Sequence, residues 1–222
     1  MQRLVVFCDE SIEKGKYYSN FFGAIMVKEA DLVRVNNILE TKLKSLNLGK
    51  EVKFTRITTS YQTKYQELMV EFFRLVKSGE LKVRIMFTQN LDLPQLTPEQ
   101  RKRNKYFVLY YQLIKHAFGW QYMPDPTPYL LQLNFDVFPH TKGDIAEFKR
   151  YLVGLSNQPE LSSKGLIIYE RNIAEVDSSK HAILQCLDIV MGSMQFRLNN
   201  GHKNKEPGSR FISKRAKAKY AV

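Results

Sequence analysis

The chain has 222 residues, 44% of them hydrophobic, enough to bury a sizeable core. Its 34 Lys and Arg outnumber its 22 Asp and Glu, giving a formal charge of +12 and a pI of about 9.6, a balance that attracts polyanions, nucleic acid first and an anionic membrane surface second. The only two cysteines, Cys8 and Cys186, exclude a disulfide framework and a cysteine-built zinc site and point to a reducing cytoplasm, and no apolar run is long enough for a signal-peptide core or a membrane span.

In chain order, Arg3–Asp9 reads as a first strand and Tyr17–Val27 as a second, aromatic and β-branched, with Gly15 at the turn. The short gap predicts an antiparallel hairpin. Leu32, Val35, Leu39, Leu43 and Leu46 recur at helical spacing and predict a helix over 28–46. "GKEVKFTRI", Gly49–Ile57, reads as a loop or short strand. Tyr65, Leu68, Met69, Phe72, Phe73 and Val76 predict a helix over 61–77, stopped by Gly79.

Leu81–Phe87 reads as the next strand. After a Pro-containing loop, "TPEQ" opens a helix, with Thr97 as cap, Pro98 in the first turn and Gln100 at the capping-box position; that helix runs to about Phe118. "PDPTP" is a turn. Tyr129–Phe138 is a strand, 143–155 a short helix and 165–171 a further strand. Ser178 or Ser179 caps a last helix to about Leu198.

A single domain over 1–198 is expected, followed by a polar, basic and mobile tail over 199–222. There are no internal repeats, and both the P-loop and the dinucleotide glycine fingerprint are absent. Strands alternating with helices predict the α/β class, a mixed central sheet of about five strands flanked by helices.

Four acids fall where a structural protein would prefer a neutral residue. Asp9 shares one strand face with Val5 and Phe7, because side chains alternate, while Glu10 points the other way. Asp136 ends "LLQLNFD" on the polar row of Gln132 and Asn134. Asp188 borders the helical stripe of Leu184, Leu187, Met191 and Met194. Its neighbours three and four positions away are Gln185, Leu184, Met191 and Gly192, none of them a cation. A buried carboxylate in such a place calls for a tertiary cation or a metal. Glu51, between Lys50 and Lys53, has little local claim over Glu40 or Glu67. Carboxylates clustered at one sheet edge would repel, and hard divalent cations such as Mg²⁺ or Mn²⁺ relieve that repulsion.

"VVFCDES", "FFGAIMV", "KEVKFTRI", the strand-end Asp136 and "VDSSKHAILQCLDIVMG", spread over residues 3 to 198, resemble the domain of unknown function 3800 family, with its RNase H-like fold. The resemblance implies a divalent-metal site of Asp9, Glu51, Asp136 and Asp188. It implies two-metal phosphodiester hydrolysis, with Asp9 bridging two ions roughly 3.5–4 Å apart. The helix over 28–46 is a departure. In related nucleases the second acid sits on the first helix after the initial strands, so Glu67 rivals Glu51.

"RKRNKYFVLYYQLIKH" sets Arg101, Lys102, Arg103 and Lys105 beside Tyr106, Phe107, Tyr110 and Tyr111. The cations suit phosphate contact, and the aromatics suit either base stacking or, at this spacing, the core. From Arg197 onward eight Lys or Arg face one acid, a candidate nucleic-acid arm. Lys53 is a candidate for the scissile phosphate, and His140 and His181 for proton transfer. Ser11 lacks the glycine-rich elbow of a nucleophilic serine. The resulting expectation is a Mg- or Mn-dependent nuclease acting on DNA or RNA. The alternative is an inactive module that docks on nucleic acid or on a protein partner, as part of a bacterial defence or mobile-element system.

Overall fold

Five strands form one mixed sheet in the order β3-β2-β1-β4-β5. They are β1 (Gln2–Ser11), β2 (Tyr18–Lys28), β3 (Leu81–Gln89), β4 (Tyr129–Phe135) and β5 (Leu166–Glu175). In the computed structural model, residues 1–11, 14–48, 51–90, 105–122 and 128–201 are described, less the side chains of Lys105 and Gln121. The helices are α1 (Glu29–Ser45), α2 (Gln62–Lys77), α3 (Lys105–His116), α4 (Lys142–Gly154), the single turn α5 (Pro159–Ser162) and α6 (Ala182–Leu198).

The expected hairpin forms, with β1 antiparallel to β2 and β2 antiparallel to β3. β4 and β5 run parallel to β1 on its other side. Helices cover both faces, as the RNase H-like expectation requires. Val6 and Cys8 face Tyr110 and Leu113 of α3 and Phe148 of α4. Val5 and Phe7 face Val35 and Leu39 of α1, Leu68 and Phe72 of α2, and Leu187 of α6. Coverage on both sides explains why the centre of β1 reads as an unbroken apolar run rather than an alternating one.

Several boundaries move. β1 continues two residues past Asp9, so that acid lies inside the strand, opposite Gly23 of β2. β5 extends to Glu175, four residues beyond its predicted end. The last helix starts at Ala182, after a short 3₁₀ turn (Ser178–Lys180) capped by the Asp177 carboxylate rather than by a serine. The predicted helix start at Thr97 lies outside the described residues. So does the tail from 202 onward. Asn199, assigned to that tail by composition, is instead tied to the hairpin. Its Oδ1 accepts from the Tyr17 and Tyr18 N–H groups, and its Nδ2 donates to Tyr18 O.

Two glycines let α6 sit close. A Cβ at Gly23 would fall 2.6 Å from Met191 Sδ and 2.8 Å from Leu187 Cδ1. A Cβ at Gly192 would fall 2.5 Å from the Phe54 Cβ. Side chains at these positions would push α6 off the sheet and off the segment that carries Glu51. Among the described residues, no helix is long and apolar enough to cross a membrane.

Candidate functional site

The C-terminal ends of the neighbouring parallel strands β1 and β4 open into a crevice, the usual place for a site in such sheets. The N-terminal half of α6 and the 51–56 segment close it. The pocket is about 190 Å³, and Asp9, Glu51, Asp136 and Asp188 all line it, with Glu10, Lys53, Ser178 and Gln185. Glu67, the rival to Glu51, is exposed on α2 and paired with Lys42 Nζ at 3.1 Å.

Each acid is positioned differently. Asp9 is 9% exposed, and its Oδ1 accepts the Glu10 N–H at 2.8 Å. No cation is paired with it among the described residues. Burial, with the nearby Glu10 and Asp188 carboxylates, pushes its pKa up to about 8. Asp136 sits one residue past β4. Its N–H donates to Cys8 O at 3.2 Å, and its Oδ1 accepts the Val137 N–H at 2.9 Å and the Ser178 N–H at 3.4 Å.

Asp188 answers the question its helix posed. Its Oδ2 accepts the Phe54 N–H at 2.7 Å. Burial raises its pKa, and the Phe54 N–H and the Lys53 ammonium partly offset that rise. Glu51 is not on a helix. It sits in a segment pinned to α6 twice, once by Asp188 and once by Gln185, whose Oε1 accepts the Val52 N–H at 3.0 Å. The Glu51 carboxylate is paired with Lys53 Nζ at 2.9 Å and Arg56 Nη2 at 3.3 Å. Arg56 also donates to the Glu51 carbonyl at 2.8 Å.

Glu10 does turn to the opposite face, where Tyr110 donates its hydroxyl to the carboxylate. Burial raises the Glu10 pKa, and the Tyr110 hydrogen bond partly offsets it. Glu10 is nevertheless close enough to bear on Asp9 electrostatically. Its place beside Asp9 in the sequence suggested only opposite orientation, not shared charge.

Other candidates fall elsewhere. Tyr106, Phe107 and Tyr110 are buried in the core, which removes them as base-stacking platforms. Arg101, Lys102 and Arg103 lie outside the described residues, as does the Lys105 side chain. His140 packs its ring on Tyr106 and Phe107, and His181 packs on Phe7; neither lines the pocket. Ser11 donates to Gln195 Oε1 at 2.7 Å and does not line the pocket. Sequence reasoning missed Gln185 and Arg56 as site-building residues. Gln185 lies three positions before Asp188 and so on the same helix face, a signal that was legible. Arg56 carried none.

The residue types suit a hard divalent cation, since the acids offer carboxylate oxygen and Asp9 is a buried carboxyl without a counter-charge. Yet among the described residues no three His, Cys, Asp or Glu side chains are grouped so as to hold a metal ion as they stand.

No family model matches the chain, and no curated protein matches it. Among solved structures, the chain is similar to ribonuclease H2 from Pyrococcus horikoshii OT3, at 15% identity and a TM-score of 0.46, over 91% of this chain and 76% of that one. It is also similar to RNase HII in the PCNA:RNase HII complex from Archaeoglobus fulgidus, at 10% identity and a TM-score of 0.45, over 96% of this chain and 87% of that one.

Proposed function

We propose that the chain is a metal-dependent nuclease, or a related phosphoryl-transfer enzyme, that hydrolyses nucleic-acid phosphodiesters at the acidic pocket. One observation carries the reading: Asp9 is buried without a paired cation among the described residues and shares its pocket with Asp136, Glu51 and Asp188. A fold keeps an uncompensated buried carboxyl at a cost in stability, and such groups concentrate at functional sites. The motif resemblance to the domain of unknown function 3800 family and the +12 charge favour the same reading.

Asp9, Asp136, Glu51 and Asp188 would hold Mg²⁺ or Mn²⁺, with side-chain rotation to bring their oxygens together. Bound there, the ion supplies Lewis acidity at a phosphoryl oxygen and a water of lowered pKa. The chain's own residues do the rest. Lys53 holds a cation at the pocket, kept protonated by Glu51, and meets the phosphate. Gln185 and Asp188 fix the 51–54 backbone against α6, so Glu51 keeps its place when Lys53 changes partner. The surrounding Val52 and Leu184 limit the access of bulk water.

The test incubates the protein with single-stranded DNA, duplex DNA, RNA and hybrid, in Mg²⁺, in Mn²⁺ or in chelator, beside Asp9→Asn and Asp188→Asn. Cleavage in metal, lost in chelator and in both folded variants, is expected. Equal cleavage by the folded variants would sink the assignment. The lack of a preformed three-ligand group among the described residues favours a second reading, a non-cutting module that binds nucleic acid. Binding with no cleavage of any substrate would select it.

A further inference from the structure

Beside the pocket, the 51–56 segment and the start of α2 carry side chains, Arg56, Tyr61 and Lys64, that the carboxylate chemistry does not use, next to Lys53, which it does. Lys53 and Arg56 both reach Glu51, yet 42% and 52% of their side chains stay exposed. Two cations on one carboxylate leave surplus positive charge at the mouth of a pocket whose interior is acidic. An anionic ligand approaching those acids needs such an offset.

Tyr65 ties this surface to a further group. It is buried on α2, and its hydroxyl lies against the Lys53 backbone and within electrostatic reach of Arg56, Asp188 and Tyr61. One turn earlier, Tyr61 is 46% exposed, and Lys64 Nζ stands 5.2 Å from its ring centroid. A lone exposed tyrosine is ordinary. This one has Lys64 at its ring and shares with Arg56 and the Lys53 backbone a place around Tyr65, a combination that fits phosphates on the charges and a base on the ring.

We propose that Lys53, Arg56, Tyr61 and Lys64 form the approach surface for an unpaired nucleic-acid strand, the cations contacting its phosphates and Tyr61 stacking on a base. The proposal rests on the nuclease reading only for the strand's destination. A paired duplex keeps its base faces stacked, so Tyr61 selects single strands or unpaired ends.

Fluorescence anisotropy of a labelled oligothymidylate on the full chain, in chelator and across a salt series, tests this. Tyr61→Ala should weaken binding about tenfold without changing the salt slope, while Tyr61→Phe binds as wild type. Arg56→Gln should weaken binding and lower the log–log salt slope by about 0.7. Tyr61→Ala should leave duplex affinity unchanged. Tyr122→Ala is the control: Tyr122 is exposed beside Gln2, at the other end of β1, and its loss should change nothing.

Wild-type affinity in both Tyr61→Ala and Arg56→Gln would overturn the proposal, as would an equal loss in Tyr122→Ala. The two readings fail separately. Binding that follows this pattern without cleavage in any metal removes the nuclease and keeps the surface. Asp9-dependent cleavage with unaltered affinity in these variants does the reverse.

Discussion

The Phe54 backbone N–H donates to Asp188 Oδ2 at 2.7 Å, joining residues 134 apart in the chain. This bond sets the 51–56 segment on α6 and so brings Glu51 to the acids of the sheet. It is possible because Gly192, one turn after Asp188, leaves room for the Phe54 side chain.

Gly192→Ala should therefore destabilise the protein. In an exposed helix interior, Gly to Ala gains about 1 kcal/mol. Here the added methyl meets Phe54, and overpacking of this kind costs about 1–3 kcal/mol, so we expect a net loss of about 1 kcal/mol. Urea denaturation at constant m-value measures it, and a gain in stability would show that the segment is not held tightly.

Asp9 makes stability depend on pH. Its folded pKa, about 8, lies above its ordinary value of 3.8, so the folded chain holds a proton that the unfolded chain has released. The stabilisation is fully present below about pH 4 and is lost as pH rises to about 8. The raised Glu10 and Asp188 pKa values act in the same direction. In chelator, the midpoint of unfolding should fall between pH 5 and pH 8. Asp9→Asn, which cannot ionise, should flatten much of that slope and be more stable than wild type at pH 8 by about 3 kcal/mol. A wild-type slope in the variant would refute the assignment.

A divalent cation should reverse the penalty. At a hundredfold excess over its Kd, a ligand of the folded state adds about 2.7 kcal/mol, a rise in Tm of about 5–10 °C for a chain of this size. The rise in Mg²⁺ or Mn²⁺ should be greater at pH 8 than at pH 6, since ligation displaces the Asp9 proton. Asp9→Asn should lose most of it. Calorimetric scans with and without metal decide the matter.

Tyr110→Phe should cost about 1 kcal/mol, because it removes one of the hydroxyl donors, Tyr110 beside Tyr106, that serve the half-buried Glu10 carboxylate. The loss should grow as pH rises through the Glu10 titration. Thermal melts at two pH values test it, and a pH-independent loss would indicate packing alone.

Much of the candidate site was legible because strand and helix periodicity is local. Alternation along "VVFCDES" put Asp9 and Glu10 on opposite faces, and they are so placed. The helical period of "AILQCLDIVMG" put Asp188 beside the buried stripe. Glu51 was not separable from Glu67 by any local pattern. What brings Glu51 to the pocket is the pair of backbone bonds from Val52 and Phe54 to α6. The position of β1's end also escaped local reading, since its last residues pair with Phe21 and Phe22 of β2.

By itself, then, the sequence determined most of the described strands and helices, the faces they bury, Asp9 and Asp188 set against apolar residues, and Asp136 at the end of a polar row. Each of these follows from side-chain spacing within about a dozen residues. Only the tertiary structure decided the sheet order, which acid joins Asp9, Asp136 and Asp188, and the pairing of Glu51 with Lys53 and Arg56. Those outcomes depend on how α6 packs across β1 and β2 and over the 51–56 segment, and spacing along the chain carries no record of contacts between residues more than a hundred positions apart.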